Sequence, residues 1–400
     1  MTLSRRIPGN EAPNAWARLL AGRRAAGAAL IDLTEANPTR VGLAGGDAAT
    51  LAAPADPAAA RYEPDPRGSR RAREAVAGYY AGRGLPADPE AILLTTGTSE
   101  SYAHLFRLLG DPGDTFLIPA PSYPLFEPIA ALEGVRLRPY RIAWDGGWHL
   151  DRGSLETAFA DGARGMIVVQ PNHPTGSCLD SAEVAFAEAL CERHGTALIS
   201  DEVFGDFAWP ATGASVSARG PGAASGAVSA RGLPSLLGAR RVVTFVLSGL
   251  SKVCGMPQMK LGWIALAGPE AARAEALRGL EWIADLFLSV GTPVQHALPA
   301  LLESRHAWQP RVLERIAANR ARLGAATARY PAFEVRAGVG GWVAPLRVPA
   351  TRGEEDWVLE LIRRGVVAHP GHFYDAADEP LLVVSLIVEP DRFAAGLDVI

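Results

Sequence analysis

Short apolar strand patterns alternate with helical patterns along the chain from about residue 91. Strands that alternate with helices are typical of a parallel sheet with helices packed on both faces. One helical pattern opens with Asp180 and Glu183 as a capping box and closes at Gly195. We therefore predict an α/β fold whose large domain has three layers, α/β/α, around a mostly parallel sheet. The strand runs are AILLTT, TFLIP, VRLRPY, GMIVVQ and TALIS.

The rest of the chain divides into an arm, an insertion and a second domain. Helical periods dominate from Glu270 to Arg329, and mixed patterns follow, which predicts a smaller α+β domain. A stretch rich in Ala, Gly and Ser contains VSARG twice and predicts a flexible surface insertion. The predicted division is an N-terminal arm at 1–45, a large domain at 46–275 with the insertion at 210–232, and a small C-terminal domain at 276–400.

Composition argues against several classes of partner. With 400 residues, 48% of them hydrophobic, the chain is long enough for two domains and a large core. Lysine and arginine number 39 against 43 acidic residues, and no basic block suggests a nucleic-acid partner. No apolar run reaches the ~18 residues of a membrane span, and the N-terminus lacks the apolar core of a signal peptide. Three cysteines without metal-ligand spacing favour a reducing compartment, so we predict a cytoplasmic protein with no metal site and no membrane association.

The stretch VLSGLSKVCGMPQMKLG, from Val246 to Gly262, contains the first candidate for chemistry. It is predicted to form a strand, a turn and a second strand, with Lys252 at the turn. A lysine between small residues and apolar strands is partly desolvated, which lowers its pKa and leaves a nucleophilic amine of the kind that forms a Schiff base. The alternative is a solvated lysine on a loop.

Two further features suit a planar, phosphorylated ligand. At Gly97, Thr98 and Ser99 a strand gives way to a helix, and the free N–H groups of a helix start favour a phosphate. An ordinary Ser/Thr helix cap is the alternative. Tyr123, in PSYP, could lay its ring against a planar heterocycle, or it could be an ordinary core tyrosine.

An acidic residue and a second lysine extend this set. Asp201 ends the apolar strand ALIS, where a buried carboxylate needs a cationic partner such as a protonated pyridine nitrogen. That pairing would turn the ring into an electron sink. Lys260 could add a positive charge beside the phosphate. The alternatives are a helix N-cap for Asp201 and a surface position for Lys260.

In this order the pieces resemble a class I/II pyridoxal-phosphate-dependent aminotransferase, with the aspartate aminotransferase fold known as fold type I. The resemblance covers nearly the whole length of the chain. The matching motifs are Tyr62 ahead of Gly68 and Arg73, TTGTS with Gly97, DPGD followed by Tyr123, PNHPTG, DEVF with Asp201, SGLSK with Lys252, and Pro370-Gly371.

The resemblance implies a role for each matching residue. Lys252 would bind pyridoxal 5'-phosphate as an imine and later move a proton between the substrate and the cofactor. Asp201 would keep the ring nitrogen protonated, Tyr123 would stack on the ring, and Thr98 and Ser99 would hold the phosphate. A homodimer is also implied, because the family residue that matches Tyr62 reaches the cofactor phosphate of the neighbouring subunit.

Some positions around the cofactor depart from the family pattern. His173 replaces an asparagine and Phe204 replaces a tyrosine, both of which bond the cofactor's phenolic oxygen in the family. Lys260 replaces a phosphate-binding arginine, so the charge is kept while the bidentate fork is lost. Gly249 replaces a serine three residues before Lys252, and Ser248 or Ser251 is the candidate substitute.

Another departure concerns the substrate. The arginine that clamps the substrate carboxylate in most of the family corresponds to Val383 in LLVVSL. Arg40, in the N-terminal turn that the family folds over the active site, is the candidate substitute. The alternative for Arg40 is a solvated loop residue.

Three functions are compatible with this pattern to different degrees. The first is an aminotransferase that moves an amino group between an amino acid and a 2-oxo acid. The second is a β-eliminating C–S lyase, because an imine and an electron sink serve both reactions. The third is a non-enzymatic regulator, which would need a DNA-binding domain ahead of the Tyr62 region, where the roughly 45 residues are too few. We predict the aminotransferase, while the amino donor, the acceptor and the pathway stay open.

Overall fold

The computed structural model describes residues 4, 6–7, 12–209, 233–376 and 379–400. The predicted insertion at 210–232 therefore lies outside the described residues, and its flexibility stays a prediction. The helices are α1 (Ala15–Ala25), α2 (Ala48–Ala52), α3 (Arg70–Gly82), α4 (Thr98–Leu109), α5 (Phe126–Glu133), α6 (Arg152–Phe159), α7 (Ser181–His194), α8 (Leu250–Val253), α9 (Glu270–Asp285), α10 (Thr292–Glu303), α11 (Arg305–Arg329), α12 (Glu354–Arg363) and α13 (Pro390–Leu397). The strands are β1 (Ile31–Asp32), β2 (Ile92–Thr95), β3 (Thr115–Ala120), β4 (Arg136–Trp144), β5 (Trp148–Leu150), β6 (Gly165–Val169), β7 (Ala197–Asp201), β8 (Thr244–Gly249), β9 (Gly262–Ala267), β10 (Glu334–Val335), β11 (Val343–Arg347), β12 (Val366–Val367), β13 (His369–Pro370) and β14 (Leu381–Ser385).

Within the described chain, eight strands form the central sheet in the order β2-β9-β8-β7-β6-β3-β4-β5. Strands β8, β7, β6, β3 and β4 are paired in parallel, whereas β9 is antiparallel to both neighbours and β5 is antiparallel to β4. Every residue of β6, β7 and β8 is buried, as expected for parallel strands covered on both sides. The predicted α/β fold with a mostly parallel sheet is confirmed.

Alternate residues of the same strand enter different cores, so the sheet is the middle layer of three. Ile167 and Val169 of β6 pack into the core that includes α4, α5 and α9. Met166 and Val168 of the same strand pack into the opposite core, with α6 and α7. Helices α3 and α10 extend that second layer over β2, β8 and β9. Two buried faces explain why the strand sequences are continuous apolar runs.

A second sheet, β10-β11-β14-β13, is antiparallel and packs against α11, α12 and α13. The prediction assigned residues 276–400 to the small domain, and α9 and α10 fall wholly or mostly within that range. The structure packs α9 and α10 against the large sheet. The domain boundaries themselves stay predictions.

The N-terminal arm lies against the small sheet region. Helix α1 packs on α12, and β1 pairs in parallel with β12, so that Ile31 lies opposite Val366. The indole N–H of Trp16 donates to the backbone carbonyl of Ala368 at 3.1 Å. Across the described ranges, no helix is both long and apolar enough to cross a lipid bilayer.

The carboxyl ends of β6, β7 and β8 lie side by side and carry the polar residues of interest. Val169, Asp201 and Leu247 occupy neighbouring register positions. Lys252 lies in the one-turn helix α8, so the turn predicted around it is wrong in detail. A helix of four residues is too short to show a periodic sequence pattern, and its cap is a single bond from Cys254 N–H to the Leu250 carbonyl.

Candidate active site

Lys252 sits between β8 and β9 with its amine facing two aromatic rings. Its Nζ lies 5.0 Å from the ring centre of Trp342 and 5.6 Å from that of Phe204. Burial lowers the pKa of Lys252, and the nearby charge of Asp201 opposes that shift. Lysine occurs at two positions in the whole chain, Lys252 and Lys260, and every other basic residue of the 39 is arginine. The two primary amines of the side chains are thus confined to this stretch.

Asp201, at the end of β7, is 6% exposed. One carboxylate oxygen accepts from the hydroxyl of Tyr102 at 2.9 Å, and the other accepts from the backbone N–H of Val203 at 3.2 Å. Burial raises the pKa of Asp201 to about 6, while these two hydrogen bonds and the charge of Lys252 act in the opposite direction. Asp201 is thus a buried acid that two hydrogen-bond donors hold in place. Sequence reasoning missed Tyr102, although its place one turn after Thr98 in α4 was visible.

The start of α4, the end of β8 and the start of β9 form a narrow cradle of glycines. A Cβ added at Gly262 would lie 3.0 Å from the Gly97 Cα, and one added at Gly249 would lie 2.9 Å from the Gly262 Cα. The Nζ of Lys260 lies 4.0 Å from the place a Gly97 Cβ would take. The structure therefore brings the helix start at Gly97, Thr98 and Ser99 together with a cation, as an anion site requires.

Tyr123, His173 and Phe204 form a group of rings, of which Phe204 lies beside the amine of Lys252. The His173 ring lies 5.8 Å from that of Tyr123, nearly perpendicular to it, and 6.0 Å from that of Phe204, nearly parallel to it. Burial, together with the charges of Lys252 and His369, lowers the pKa of His173 to about 3. His173 is therefore neutral at physiological pH and has one ring N–H to donate. Tyr123 is 38% exposed, so its side chain is partly accessible to a ligand.

Tyr62 and Arg40 lie apart from this group in the single chain. Tyr62 is 74% exposed and lines a cavity with Leu288 and Gln295. Arg40 lies at the surface, pairs with Glu35 at 3.3 Å, and lines a different cavity. Neither position tests the role predicted from the sequence, so both assignments stay predictions.

A second set of aromatic residues, missed by sequence reasoning, packs against Phe204 and His173. Trp342 packs against Phe204 at 5.3 Å, and Tyr374 packs against His173 at 5.4 Å. The Tyr374 hydroxyl is 2.8 Å from Nδ1 of His369. The signal for Trp342 was the pair of glycines ahead of it, but nothing local in the sequence places these rings together.

The residues present fit pyridoxal phosphate. A planar ring would find Tyr123 on one face, the carboxylate of Asp201 for its nitrogen, and the amine of Lys252 for its aldehyde. Its phosphate would find the α4 start and Lys260. The Oγ of Ser248 is also buried, without a hydrogen-bond partner among the described residues, and it lies on the strand that leads into this cradle. A buried hydroxyl without a partner is costly unless a ligand satisfies it.

Comparison with known proteins gives relatives with two kinds of chemistry. The glutamate-pyruvate aminotransferase AlaA of Escherichia coli K12 is 25% identical over 240 residues, which is 60% of this chain and 55% of that protein. The S-alkyl-thiohydroximate lyase SUR1 of Arabidopsis thaliana is 29% identical over 241 residues, 58% of this chain and 47% of that protein. The chain thus spans about half the length of the curated relatives it matches.

Structure and family comparisons cover more of the chain. The alanine aminotransferase of Pyrococcus furiosus superposes with a TM-score of 0.85 at 18% identity, over 100% of this chain and 98% of that one, which shows a shared fold. The family model described as aminotransferase class I and II matches residues 32–379. The chain therefore belongs to the class I and II aminotransferase family.

Proposed function

We propose that the protein is a pyridoxal-phosphate-dependent aminotransferase that moves an amino group between an amino acid and a 2-oxo acid. Members of its family use pyridoxal phosphate. The observation that carries the proposal is the pairing of two opposite groups at adjacent strand ends, the buried carboxylate of Asp201 and the desolvated amine of Lys252. That pairing matches the two ends of the cofactor's ring system.

Each residue has a defined task in this reaction. Pyridoxal phosphate supplies, when bound, an aldehyde for the amine and a ring that withdraws electrons from the substrate carbon. Because burial lowers its pKa, Lys252 holds a larger neutral fraction and can accept a proton at Nζ and return it. Asp201 stabilises positive charge on the ring nitrogen by its own negative charge. Phe204 and Trp342 cover Nζ and limit the access of water.

Chemical labelling tests this proposal at one residue. Protein mixed with pyridoxal phosphate is reduced with borohydride, digested and analysed by mass spectrometry. We expect the pyridoxyl label on Lys252 in the wild type and in Lys260→Gln, and no label at that site in Lys252→Ala. Because the chain has two lysines, Lys260 is the one other lysine that could carry the label. Labelling of Lys260 alone, or none at either lysine, would refute the proposed role of Lys252.

Elimination is the second candidate reaction, favoured by the 29% identity with the lyase SUR1. The two reactions differ in what they need and release. An aminotransferase stops after its first half-reaction until a 2-oxo acid is added, whereas a C–S lyase releases pyruvate and ammonia from a cysteine conjugate without an acceptor. Assays of pyruvate and ammonia release with and without 2-oxoglutarate separate them.

The substrate carboxylate is assigned, within this proposal, to Arg40. Its pairing with Glu35 at the surface means that binding would have to replace one carboxylate by another. We expect Arg40→Ala to raise KM for amino acid donors about tenfold or more with little change in kcat. Unchanged KM and kcat for every donor would remove Arg40 from the site.

We further propose that the protein is cytoplasmic and forms a homodimer.

A further inference from the structure

The position where the family resemblance expects an arginine is apolar and buried. Val383 is 2% exposed and packs with Val343, Phe373 and Tyr374. In the register of β13 and β14, Val383 lies opposite His369. A packed valine side chain therefore takes the place of the expected guanidinium, opposite the imidazole of His369.

Four rings from the arm and the small domain surround this place. Trp16 of α1 lies 5.6 Å from His369 and 5.5 Å from Phe373, with the latter pair nearly perpendicular. His369 lies 5.7 Å from Phe373 and 6.0 Å from Tyr374. Trp16, His369 and Phe373 are half-buried, so part of each ring remains accessible. We call Trp16, His369, Phe373 and Tyr374 the ring cluster.

The ring cluster is continuous with the wall around Lys252. Tyr374 packs against His173, which packs against Phe204, which lies under the amine of Lys252. Lys252 and His369 both influence the pKa of His173, so both groups lie near the same imidazole. These successive contacts give the side group of a substrate bound at Lys252 an aromatic surface that leads to the ring cluster.

The cluster offers little to a second carboxylate. Burial lowers the pKa of His369, so its ring is neutral at physiological pH, and its Nδ1 is engaged by the Tyr374 hydroxyl. The nearby charge that acts on His369 is the carboxylate of Asp32, which already pairs with Arg24 at 3.0 Å. A carboxylate without a cationic partner is costly to desolvate, whereas an aromatic group gains from ring contacts.

We infer that the amino donor carries an aromatic group, which binds against the ring cluster. The inference rests on the proposed function and names its substrate class. Ring contacts of this kind distinguish an aromatic side group from a small or acidic one by roughly tenfold or more. Trp16, from the first helix, closes the cluster and sets the selectivity, while Lys252 and Asp201 perform the chemistry.

Donor preference is the first test. Protein loaded with pyridoxal phosphate is mixed with L-phenylalanine, L-alanine or L-aspartate, and the change in cofactor absorbance is followed. We expect L-phenylalanine to react about tenfold or more faster than alanine and aspartate. A faster reaction of aspartate or alanine would overturn the inference and leave the proposed function intact.

Binding gives a readout independent of turnover. Isothermal titration calorimetry with 3-phenylpropanoate and with succinate is expected to show at least about tenfold tighter binding of the aromatic acid. Tighter binding of succinate, or equal binding, would overturn the inference. If no donor reacts at all, the proposed function fails, and these binding constants alone decide whether the ring cluster recognises aromatic groups.

A matched pair of variants assigns the effect to Trp16. Trp16 and Trp357 are both half-buried, both donate from Nε1 to a backbone carbonyl at 3.1 and 3.0 Å, and both pack edge-on against a phenylalanine. We expect Trp16→Leu to weaken 3-phenylpropanoate binding about tenfold and Trp357→Leu to leave it unchanged. Equal effects of the two variants would show a general loss of packing and would contradict the assignment.

Discussion

At the scale of single residues, the hydrogen bond from Tyr102 to Asp201 bears directly on the proposed chemistry. The carboxylate is held at the end of β7 by that hydroxyl and by one backbone N–H. Both donors favour the charged form, and burial favours the neutral form. We therefore propose Tyr102 as a positioning residue, which would act on the cofactor through Asp201.

Removing this hydroxyl should move the pH dependence of cofactor binding. Tyr102→Phe deletes a donor to the carboxylate, so we expect the pKa of Asp201 to rise. As the pH falls, the carboxylate would then be protonated earlier, and pyridoxal phosphate binding would begin to weaken at a higher pH than in the wild type. Titration with pyridoxal phosphate from about pH 5 to about pH 8 measures the shift. Tyr140→Phe is the matched control, because Tyr140 is equally buried but donates to the Ile167 carbonyl. Superimposable profiles for Tyr102→Phe and wild type would contradict this.

The buried charge of Asp201 should also cost stability in the cofactor-free protein. Because its pKa is raised from 3.8 to about 6 in the folded state, the stability that the proton provides is present at low pH and is lost as the pH rises through about 6. We expect Asp201→Asn to stabilise the cofactor-free protein by up to about 3 kcal/mol near pH 8 and by much less near pH 4.5. Urea unfolding at the two pH values tests this, and an equal difference at both would count against it.

At the scale of secondary structure elements, three glycines let β8, β9 and the start of α4 approach closely. We expect Gly262→Ala to lower the free energy of unfolding by about 1–3 kcal/mol and to weaken pyridoxal phosphate binding, because the new Cβ would press on the Gly97 Cα. Gly324→Ala, in α11 with no atom within 4 Å of the new Cβ, should be neutral or stabilising. Thermal unfolding and cofactor titration of both variants measure these effects. Unchanged cofactor affinity in Gly262→Ala would argue against the cradle.

Elements whose signals are local could be predicted from the sequence. The apolar runs gave the parallel strands, and the capping box at Asp180 and Glu183 is confirmed. The turn at Lys252 was wrong because one helical turn has no period to detect. Contacts such as Tyr102 with Asp201 join residues 99 positions apart. Such contacts form only when α4 packs on the sheet, and a single sequence carries no direct signal for that packing.

At the scale of the whole molecule, exposed apolar side chains near Tyr62 favour the proposed dimer. Trp282 is 70% exposed and Leu286 is 64% exposed, at the end of α9 beside the cavity that Tyr62 lines. Exposed large apolar residues in a group often mark an interface. We expect a dimer by light scattering, weakened in Trp282→Glu and unchanged in Tyr330→Glu, whose ring is 63% exposed on the small domain. A monomeric wild type would refute it.

The contacts of the N-terminal arm with β12 and Ala368 bring an early and a late segment of the chain together. The stretch that contains Lys252, the residue proposed to transfer the proton, lies between these segments in the sequence. Substitutions in these two segments alone could therefore change the substrate preference and leave the residues around Lys252 unchanged. We expect chimaeras that exchange only residues 15–25 with a related chain to switch donor choice while Lys252 still takes the pyridoxyl label.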